Sequence, residues 1–365
     1  MRIADIITYL ESWAPPALQE NYDNAGLITG SPGWDCTGII CTLDATEDVI
    51  KEAKAKGCNL VVAHHPIVFG GIKKLTGKNY VEKTVITAIK EDIAIFAIHT
   101  NLDNILTGVN GRIADRFGLV NRRILAEKEG LLRKLYTFVP VEKAEEVRTA
   151  LFETGAGHIG NYSECSFTTE GSGTFKAGAG ANPYVGAPDR RHTEPEIKME
   201  MIFPAWLQGA LVAALKKAHP YEEVAYDIIQ LANTHPATGS GLIGELPEPL
   251  TGTAFLNKVS EVFGTSFIRL TALSGQMIKK LAICGGAGSF LISSVLASGA
   301  DAFVTADMKY HEFFDANGRL LIADPGHFET EQFTIGLLQE VLAKKFPTFA
   351  VLKTEVETNP VRYFI

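Results

Sequence analysis

The sequence predicts an α/β protein with mixed or parallel sheets flanked by helices, and with a second α+β module inserted into it. Apolar runs of strand length alternate with helix-like segments in both terminal parts of the chain, as in a parallel sheet covered by helices. The pattern changes between about residues 129 and 232. We therefore predict a discontinuous outer domain at 1–128 and 233–365 and an inserted domain at 129–232.

Composition narrows the class of protein. The 365 residues are 46% hydrophobic, enough for well-filled cores, and the net charge of -8 is spread along the chain without a basic stripe. This charge disfavours nucleic acid as a partner. The five cysteines are scattered and odd in number, which indicates reduced thiols in a cytoplasmic protein. Since no segment has the pattern of a signal peptide or a membrane span, we expect a cytoplasmic protein without membrane contact.

Predicted strands in the first part of the chain end in polar residues. The predicted elements are a strand at 38–43 before Asp44, a helix at 47–56, an apolar strand at 58–63 closed by His64 and His65, a helix at 80–91, and a strand at 93–98 followed by His99 and Asp103. Ligands in open α/β sheets collect beyond the carboxyl ends of strands. Pro66 favours an extended His65, so the neighbouring rings diverge and suit two metal ions better than one.

The same pattern returns near the C-terminus. A strand at 302–305 precedes Asp307 and His311, and a strand at 320–323 precedes Asp324 and His327. We expect Asp324 to cap a helix that has Pro325 in its first position and runs towards residue 344. His327 and Glu331 would then share one face of that helix.

Five residues at or just after strand ends form the candidate metal site: His64, His65, Asp103, His327 and Glu331. A lone histidine at a strand end is more often structural than a ligand, but one crevice can collect all five side chains. Imidazole nitrogens and carboxylate oxygens suit zinc, iron or manganese, and Asp103 is the candidate bridge between two ions. No cysteine is expected at a comparable strand end, so thiolate ligation is not predicted.

The inserted segment has the order of a split βαβ, ferredoxin-like module. Its predicted elements are a strand at 134–139, a helix at 144–154, a glycine-rich stretch at 171–186, a strand at 196–203, a helix at 205–218 and a strand at 224–231. The glycine-rich stretch at 171–186 is predicted to be a flexible hairpin or an interface loop, with a nucleotide cradle as the less favoured alternative.

Several motifs together resemble the Nif-three-like family, whose members are also called GTP cyclohydrolase 1 type 2 homologues. They are His64-His65-Pro66, the segment at 99–103, the segment at 305–311 and the segment at 324–331, and a segment at 22–27 is similar to the family's N-terminal signature without an assigned role. The resemblance covers 1 to about 125 and 238–365. The middle region, through 219–227, resembles the insert of longer bacterial members, which is related in fold to PII-like and CutA-like proteins.

The resemblance implies a two-lobed Nif-three-like fold with two divalent metal ions per subunit, bound by His64, His65, Asp103, His327 and Glu331. It also implies a toroidal homohexamer, a trimer of dimers, whose cavity the inserts cap. The one departure from the family pattern is Ala306, where glycine is expected, and it leaves the ligands untouched.

Two functions follow from these expectations. The first is a metal-dependent hydrolase of a small-molecule substrate, GTP cyclohydrolase-like, that opens a purine ring or acts on a related phosphorylated compound. His99, Asp307 and His311 are then candidates for ligand orientation, proton transfer or substrate contact, although ordinary polar roles are as frequent; Asp307 and His311 are expected one helical turn apart. The alternative is a non-enzymatic metal-handling or regulatory hexamer whose insert senses a ligand.

Two further motifs have a structural and a functional interpretation. Residues 285–289 are glycine-rich and follow a predicted strand, and a tight strand-to-helix turn is favoured there over a phosphate cradle. His219 and Glu222 are predicted to start a strand, with a regulatory ligand as the less favoured alternative.

Overall fold

The computed structural model describes residues 1–272, 275 and 277–364. The chain divides into two compact units, 1–127 with 237–365 (the outer unit) and 128–236 (the insert). The division from sequence had placed these boundaries at 128 and 233.

In chain order, the strands are β1 (Gly26–Thr29), β2 (Ile39–Asp44), β3 (Leu60–His65), β4 (Ala94–Ala97), β5 (Val120–Glu127), β6 (Leu132–Pro140), β7 (Phe167–Lys176), β8 (Arg191–Pro204), β9 (Tyr226–Gln230), β10 (Gly239–Thr251), β11 (Arg269–Leu270), β12 (Met277–Ala287), β13 (Ala302–Ala306), β14 (Leu321–Asp324) and β15 (Val351–Lys353). The α-helices are α1 (Ile3–Trp13), α2 (Glu47–Ala55), α3 (Tyr80–Lys90), α4 (Thr100–Asp103), α5 (Val109–Phe117), α6 (Ala144–Phe152), α7 (Gln208–Ala218), α8 (Gly252–Phe263), α9 (Ile292–Ser298), α10 (His327–Glu331) and α11 (Phe333–Lys345). Short 3-10 helices lie at Pro16–Leu18, Val141–Lys143, Ala205–Leu207, Ser289–Leu291 and Tyr310–Ala316.

One sheet of the outer unit has the order β1-β4-β3-β2-β15. Strands β15, β2, β3 and β4 are parallel, and β1 is antiparallel to β4. The apolar run in β3 is fully buried, as expected for a parallel strand covered on both faces. The register of β2 with β3 pairs Asp44 with His65, so two polar side chains meet where these strands end.

The second sheet of the outer unit has the order β11-β14-β13-β12-β10-β5. Strands β12, β13 and β14 are parallel, whereas β11, β10 and β5 join antiparallel, so the outer unit is a mixed α/β structure. Its core includes Phe303, Ile322 and Val295, each almost inaccessible to solvent. The predicted strands before Asp307 and His327 are present as β13 and β14.

The predicted helix start at Asp324 is wrong. Asp324 is the last residue of β14, and α10 begins at His327 after Gly326, whose φ is 117°. The Asp324 carboxylate instead accepts hydrogen bonds from the backbone N–H groups of Met308 and Gly326, at 3.1 Å each. Because these bonds satisfy the side chain within the β13 and β14 ends, it does not cap the helix.

Asp307 and His311 are not one turn apart on a helix, contrary to the prediction. Asp307 has a left-handed backbone with φ 55°, and the 3-10 helix that contains His311 starts only at Tyr310. The chain therefore turns sharply between the two side chains.

The insert forms an antiparallel sheet with the order β7-β8-β6-β9. Its elements follow the sequence strand, helix, strand, strand, helix, strand, which is the split βαβ arrangement. Along β8, Ile197, Met199 and Met201 are buried in the insert's core with residues of α6 and α7, and Glu196, Lys198 and Glu200 alternate with them. Strand β9 begins at Tyr226, so the prediction that His219 and Glu222 start a strand is wrong.

Within the described part of the chain, none of the helices combines the length and apolar character needed to cross a bilayer. All five cysteines are free thiols.

Candidate metal centre

Each histidine of the predicted site, and His99 beside them, anchors its Nδ1 atom on an oxygen. The Nδ1 contacts are His64 to the Ile98 carbonyl at 2.9 Å, His65 to Asp44 Oδ1 at 2.8 Å, His99 to Asp23 Oδ1 at 2.8 Å and His327 to Asp307 Oδ2 at 2.7 Å. A carbonyl or carboxylate oxygen accepts a hydrogen bond here, so Nδ1 carries the hydrogen. The Nε2 atoms are then the ones available as ligands, an arrangement typical of metal-binding histidines.

The Nε2 atoms converge on Glu331. Glu331 Oε2 lies 2.8 Å from His65 Nε2, 3.0 Å from His327 Nε2 and 3.9 Å from His64 Nε2. Helix α10 brings His327 and Glu331 together because they are four residues apart on one face, as predicted. One carboxylate oxygen therefore faces imidazoles that come from both sheets of the outer unit.

Asp103 faces the same point from α4. Its Oδ1 lies 3.6 Å from His64 Nε2, and both atoms are buried without a hydrogen-bond partner in the described structure. A buried polar atom without a partner costs about 1–3 kcal/mol, and more when it is charged. A cation between the two atoms would satisfy both.

The donor atoms form two overlapping sets, each within 4.8 Å: His64, His65 and His99 in one, and His65, His327 and Glu331 in the other. We call His64, His65, Asp103, His327 and Glu331 the histidine–carboxylate cluster, with His99 beside it. Its nitrogen and oxygen donors suit borderline divalent ions, so the residues present fit a metal centre.

The charges in the cluster are strongly coupled. Although burial opposes it, hydrogen bonds from His327 and His65 hold the pKa of Glu331 well below its usual range. Against the opposing effect of burial, Asp44 and Glu331 raise the pKa of His65 to about 9, and Asp307 and Glu331 raise that of His327 to about 11. The protonated rings of His65 and His327 thus balance the negative charge of Glu331. A divalent ion would supply this positive charge instead and would displace protons from the two rings.

In two members of the cluster, His64 and Asp103, burial is the main cause of the pKa shift. His64 is completely buried, which lowers its pKa to about 3, so its Nε2 keeps a free electron pair. Burial and the nearby Glu331 charge raise the pKa of Asp103 well above its usual range. A cation would offset the cost of ionising Asp103.

Gly285 and Gly286, near the end of β12, pack against the cluster. The backbone N–H of Gly285 donates to Asn110 Oδ1 at 2.9 Å, and that of Gly286 donates to Thr330 Oγ1 at 3.0 Å. Gly286 has φ 61°, and a Cβ there would lie 2.3 Å from Glu331 Oε1. The glycine therefore makes room for a ligand carboxylate, and its amide is not free to hold a phosphate.

No cysteine was expected at a comparable strand end, and Cys284 lies within β12, not at its end. Cys284, on β12, lines the cavity at the cluster. Burial and the charge of Asp103 raise the pKa of its thiol, and its Sγ lies 3.5 Å from the Gly285 carbonyl oxygen. In the absence of a metal ion, the Cys284 thiol therefore keeps its hydrogen.

The cluster lies at a cavity of about 720 Å³, the metal cavity. Aromatic side chains form much of its wall, among them Phe69, Tyr80, Phe267 and Phe290. Arg269 is the only lysine or arginine among the described lining residues, and its guanidinium lies 3.5 Å from Asp324. Several carboxylates also line the metal cavity, so its wall combines acidic groups with flat aromatic rings.

The remaining predicted site residues differ in placement. His99 and Asp307 line the metal cavity, whereas His311 is exposed, lies outside the lining and contacts the rings of Tyr310 and Phe314. Asp307 acts on His327 through its hydrogen bond. The structure thus brings together all the predicted ligands and leaves His311 apart.

Asp44 and Asp23 are partners that the sequence reasoning did not assign. Asp44 is the last residue of β2 and pairs with His65 of β3. Its position at a strand end is the sequence feature that could have identified it as a partner of His65. Asp23 belongs to the segment at 22–27, which had no role; its carboxylate also accepts from the hydroxyl of Thr100 at 2.6 Å. Only tertiary contact over 76 residues links Asp23 to His99.

Fold and site together define a class: mixed α/β proteins in which strand-end histidines and carboxylates form a cluster suited to divalent metal. Residues 1–360 match the family model described as DUF34/NIF3 (NGG1p interacting factor 3). The chain belongs to the DUF34/NIF3 family.

Relatives over the full length support this assignment. The chain is 37% identical over 371 residues to a GTP cyclohydrolase 1 type 2 homolog of Halalkalibacterium halodurans, with 100% of both chains covered. It is 35% identical over 364 residues to the Bacillus subtilis protein of the same name, covering 98% of this chain and 97% of the other. Among solved structures, a Bacillus cereus protein related to NIF3 superposes with a TM-score of 0.88 at 36% identity, covering 100% of this chain and 99% of the other.

Proposed function

We propose that the protein binds divalent metal ions at the histidine–carboxylate cluster and is a metal-dependent hydrolase. The observation that carries the metal site is the pairing of oxygen-anchored Nδ1 atoms with Nε2 atoms that converge on Glu331 and Asp103. Such ions supply, when bound, positive charge that polarises a substrate oxygen and makes water more acidic.

His99 is the residue of the chain best placed to move a proton. Its ring lies 5.2 Å from that of His64, 5.4 Å from that of His65 and 5.7 Å from that of Phe69. Burial opposes ionisation of Asp23, but hydrogen bonds from His99 and Thr100 lower its pKa to about 2. Asp23 therefore stays ionised and orients His99, whose Nε2 can accept and return a proton.

The shape and charge of the metal cavity suit a planar, ring-containing substrate. The curated relatives are named GTP cyclohydrolase 1 type 2 homologs, which suggests hydrolytic opening of a purine ring or of a related phosphorylated compound. Aromatic walls can stack on a heterocycle, but Arg269 is shared with Asp324 and cannot neutralise a triphosphate alone. We therefore expect binding of phosphorylated substrates to require the metal ions.

We propose two ions per subunit, of zinc, iron or manganese, with Asp103 as the bridge. We also propose a toroidal homohexamer, a PII/CutA-like insert and a cytoplasmic location. The free thiols of all five cysteines agree with a reducing compartment. Elemental analysis of untreated protein and light scattering of the purified chain test the ions and the hexamer directly.

The hydrolase is tested by turnover of GTP and of a panel of related purine nucleotides by protein loaded with zinc, manganese or iron(II). We expect the Asp103→Asn variant to lose turnover. Asp315 is an exposed carboxylate outside the metal cavity, so the control variant Asp315→Asn should keep it. Asp23→Asn should lower kcat and shift its pH profile while the bound metal content stays the same. No turnover of any panel member by fully loaded protein would refute the hydrolase and leave the metal site standing.

A second candidate function is metal handling or regulation without catalysis. It is favoured by a separate large cavity whose lining residues all belong to the insert. In that case metal loading would change the oligomeric mass or the bound partner proteins without substrate turnover. Identical mass and identical partners with and without metal would contradict this candidate.

A further inference from the structure

The insert contains a cavity of about 790 Å³, the insert cavity. It lies at the sheet face that carries Glu196 and Lys198, and residues of the segments at 176–184 and 221–225 complete its lining. A cavity of this size can hold a small organic ligand. The chemistry of its walls indicates which kind.

Glu196 is a buried carboxylate in this lining. It is 8% exposed, and its Oε1 accepts a hydrogen bond from the Tyr221 hydroxyl at 2.8 Å. Its Oε2 accepts no hydrogen bond from the described residues and can therefore accept one from a ligand in the insert cavity. A Cβ on Gly173 would lie 2.1 Å from this oxygen, so the absence of a side chain at 173 lets the carboxylate occupy its position.

Tyr221, which donates to this carboxylate, lies near two other aromatic rings of the lining. The Tyr221 ring centroid lies 6.2 Å from that of Phe175 and 6.2 Å from that of Tyr184. Burial and the neighbouring Glu196 raise the pKa of Tyr221, so the phenol keeps its hydrogen and continues to donate it. Ring faces attract cations, most strongly where water is excluded.

The lining of the insert cavity carries more negative than positive groups. The described lining residues include the carboxylates of Glu170, Glu196, Glu222 and Glu223 and the ammonium groups of Lys176 and Lys198. Each of the lysines has an acidic partner outside the lining: Lys198 lies 2.9 Å from Glu200, and Lys176 lies 3.8 Å from Asp189. The insert cavity is therefore negative, which disfavours phosphates and other anions.

We propose that the insert cavity binds a small organic cation, a protonated amine or a quaternary ammonium compound, with its positive group between Glu196 and the rings of Phe175, Tyr184 and Tyr221. The carboxylate supplies the opposite charge and the rings supply cation–π contacts. This site is independent of the metal centre and of the proposed hydrolase.

The test uses the full-length protein with choline and benzyltrimethylammonium as probes, and with 3,3-dimethylbutan-1-ol as the uncharged analogue of choline. Calorimetry and saturation-transfer NMR measure binding to the wild type and to Glu196→Gln, which keeps the shape and an acceptor for Tyr221. Gly173→Ala, which must displace the carboxylate, is a second variant. Glu145→Gln on α6 is the control, because it removes the same charge from the same unit outside the insert cavity.

We expect saturable binding of at least one of the cations, weaker by about tenfold or more in Glu196→Gln and in Gly173→Ala and unchanged in Glu145→Gln. The uncharged analogue should bind at least about tenfold more weakly than choline. Equal binding of the two analogues, equal binding by wild type and Glu196→Gln, or no saturable binding of either cation would overturn the proposal. So would NMR changes at Phe175 and Tyr221 that follow protein concentration instead of probe, because another copy of the chain would then fill the insert cavity.

Discussion

His64 Nε2 and Asp103 Oδ1 lie 3.6 Å apart, both buried and both without a hydrogen-bond partner among the described residues. His64 lies at the end of β3 and Asp103 lies in α4. Holding these two unsatisfied atoms next to each other lowers the free energy of unfolding. Buried polar atoms without a partner are rare in folded proteins, and each one calls for an explanation such as a bound ion. A shared cation would satisfy both atoms, and the predictions below test for it.

Removing metal should lower the stability of the outer unit. A ligand present at 100 times its Kd stabilises a protein by about 2.7 kcal/mol, which corresponds to a rise in Tm of about 5 °C or more for a unit of this size. We expect a chelator to lower Tm by that amount and stoichiometric zinc or manganese to restore it, as measured by calorimetry. An unchanged Tm in protein whose metal content has been shown to fall would count against a site in the core.

Gly286→Ala should expel the metal while the fold persists. The new Cβ would lie 2.3 Å from Glu331 Oε1 and displace this ligand. The matched control is Gly299→Ala, which has a similar backbone with φ 70° but open space around it. Both variants should lose about 1–2 kcal/mol through left-handed backbone strain, and only Gly286→Ala should lose metal in elemental analysis. Equal metal content in the two variants would show that the close contact with Glu331 is unimportant.

Asp44→Asn should weaken metal binding without contacting the metal. Asp44 accepts the Nδ1 hydrogen of His65 at 2.8 Å and thereby fixes the orientation of the ring. Loss of such a partner typically costs 10–100-fold in affinity. Competition with a fluorescent chelator measures this change, with Asp315→Asn as the control. If affinity is the same in both variants, His65 does not depend on Asp44 for its orientation.

The insert should lose stability as the pH falls. His219 donates from Nε2 to the Phe138 carbonyl at 2.9 Å and accepts at Nδ1 from the Tyr221 N–H at 3.1 Å, so only the neutral ring satisfies both contacts. Burial lowers the pKa of His219 below its ordinary value of 6.5. The unfolded chain therefore takes up this proton at a higher pH than the folded chain, and the contribution to stability is present above 6.5 and lost below it.

Hydrogen exchange of insert peptides between about pH 5 and 8, corrected for intrinsic rates, measures this loss of stability. Wild type should lose protection on acidification, and His219→Gln should show a smaller dependence on pH. His158→Gln, a change at an exposed histidine of the same unit, is the control and should behave as wild type. Equal pH dependence in all three proteins would remove His219 as its source.

Sequence patterns predicted much of this architecture because its signals are local. The buried run that ends in His64 and His65, and the four-residue spacing of His327 and Glu331, follow from strand and helix periodicity. The start of α10 was misplaced because Asp324 bonds to Met308, a contact across two strands that no local rule contains. Asp23 and Cys284 escaped assignment for the same reason, since only the folded chain brings Asp23 to His99 and Cys284 to the metal cavity.

We propose that His64, His65, Asp103, His327 and Glu331 hold divalent metal. The most direct test is a crystal structure of untreated protein with anomalous scattering at the absorption edge of the metal found by elemental analysis. We expect anomalous peaks within ligand distance of His64 Nε2, Asp103 and Glu331. Protein that contains no metal after exposure to zinc, manganese and iron(II), with these side chains turned away from one another, would contradict it.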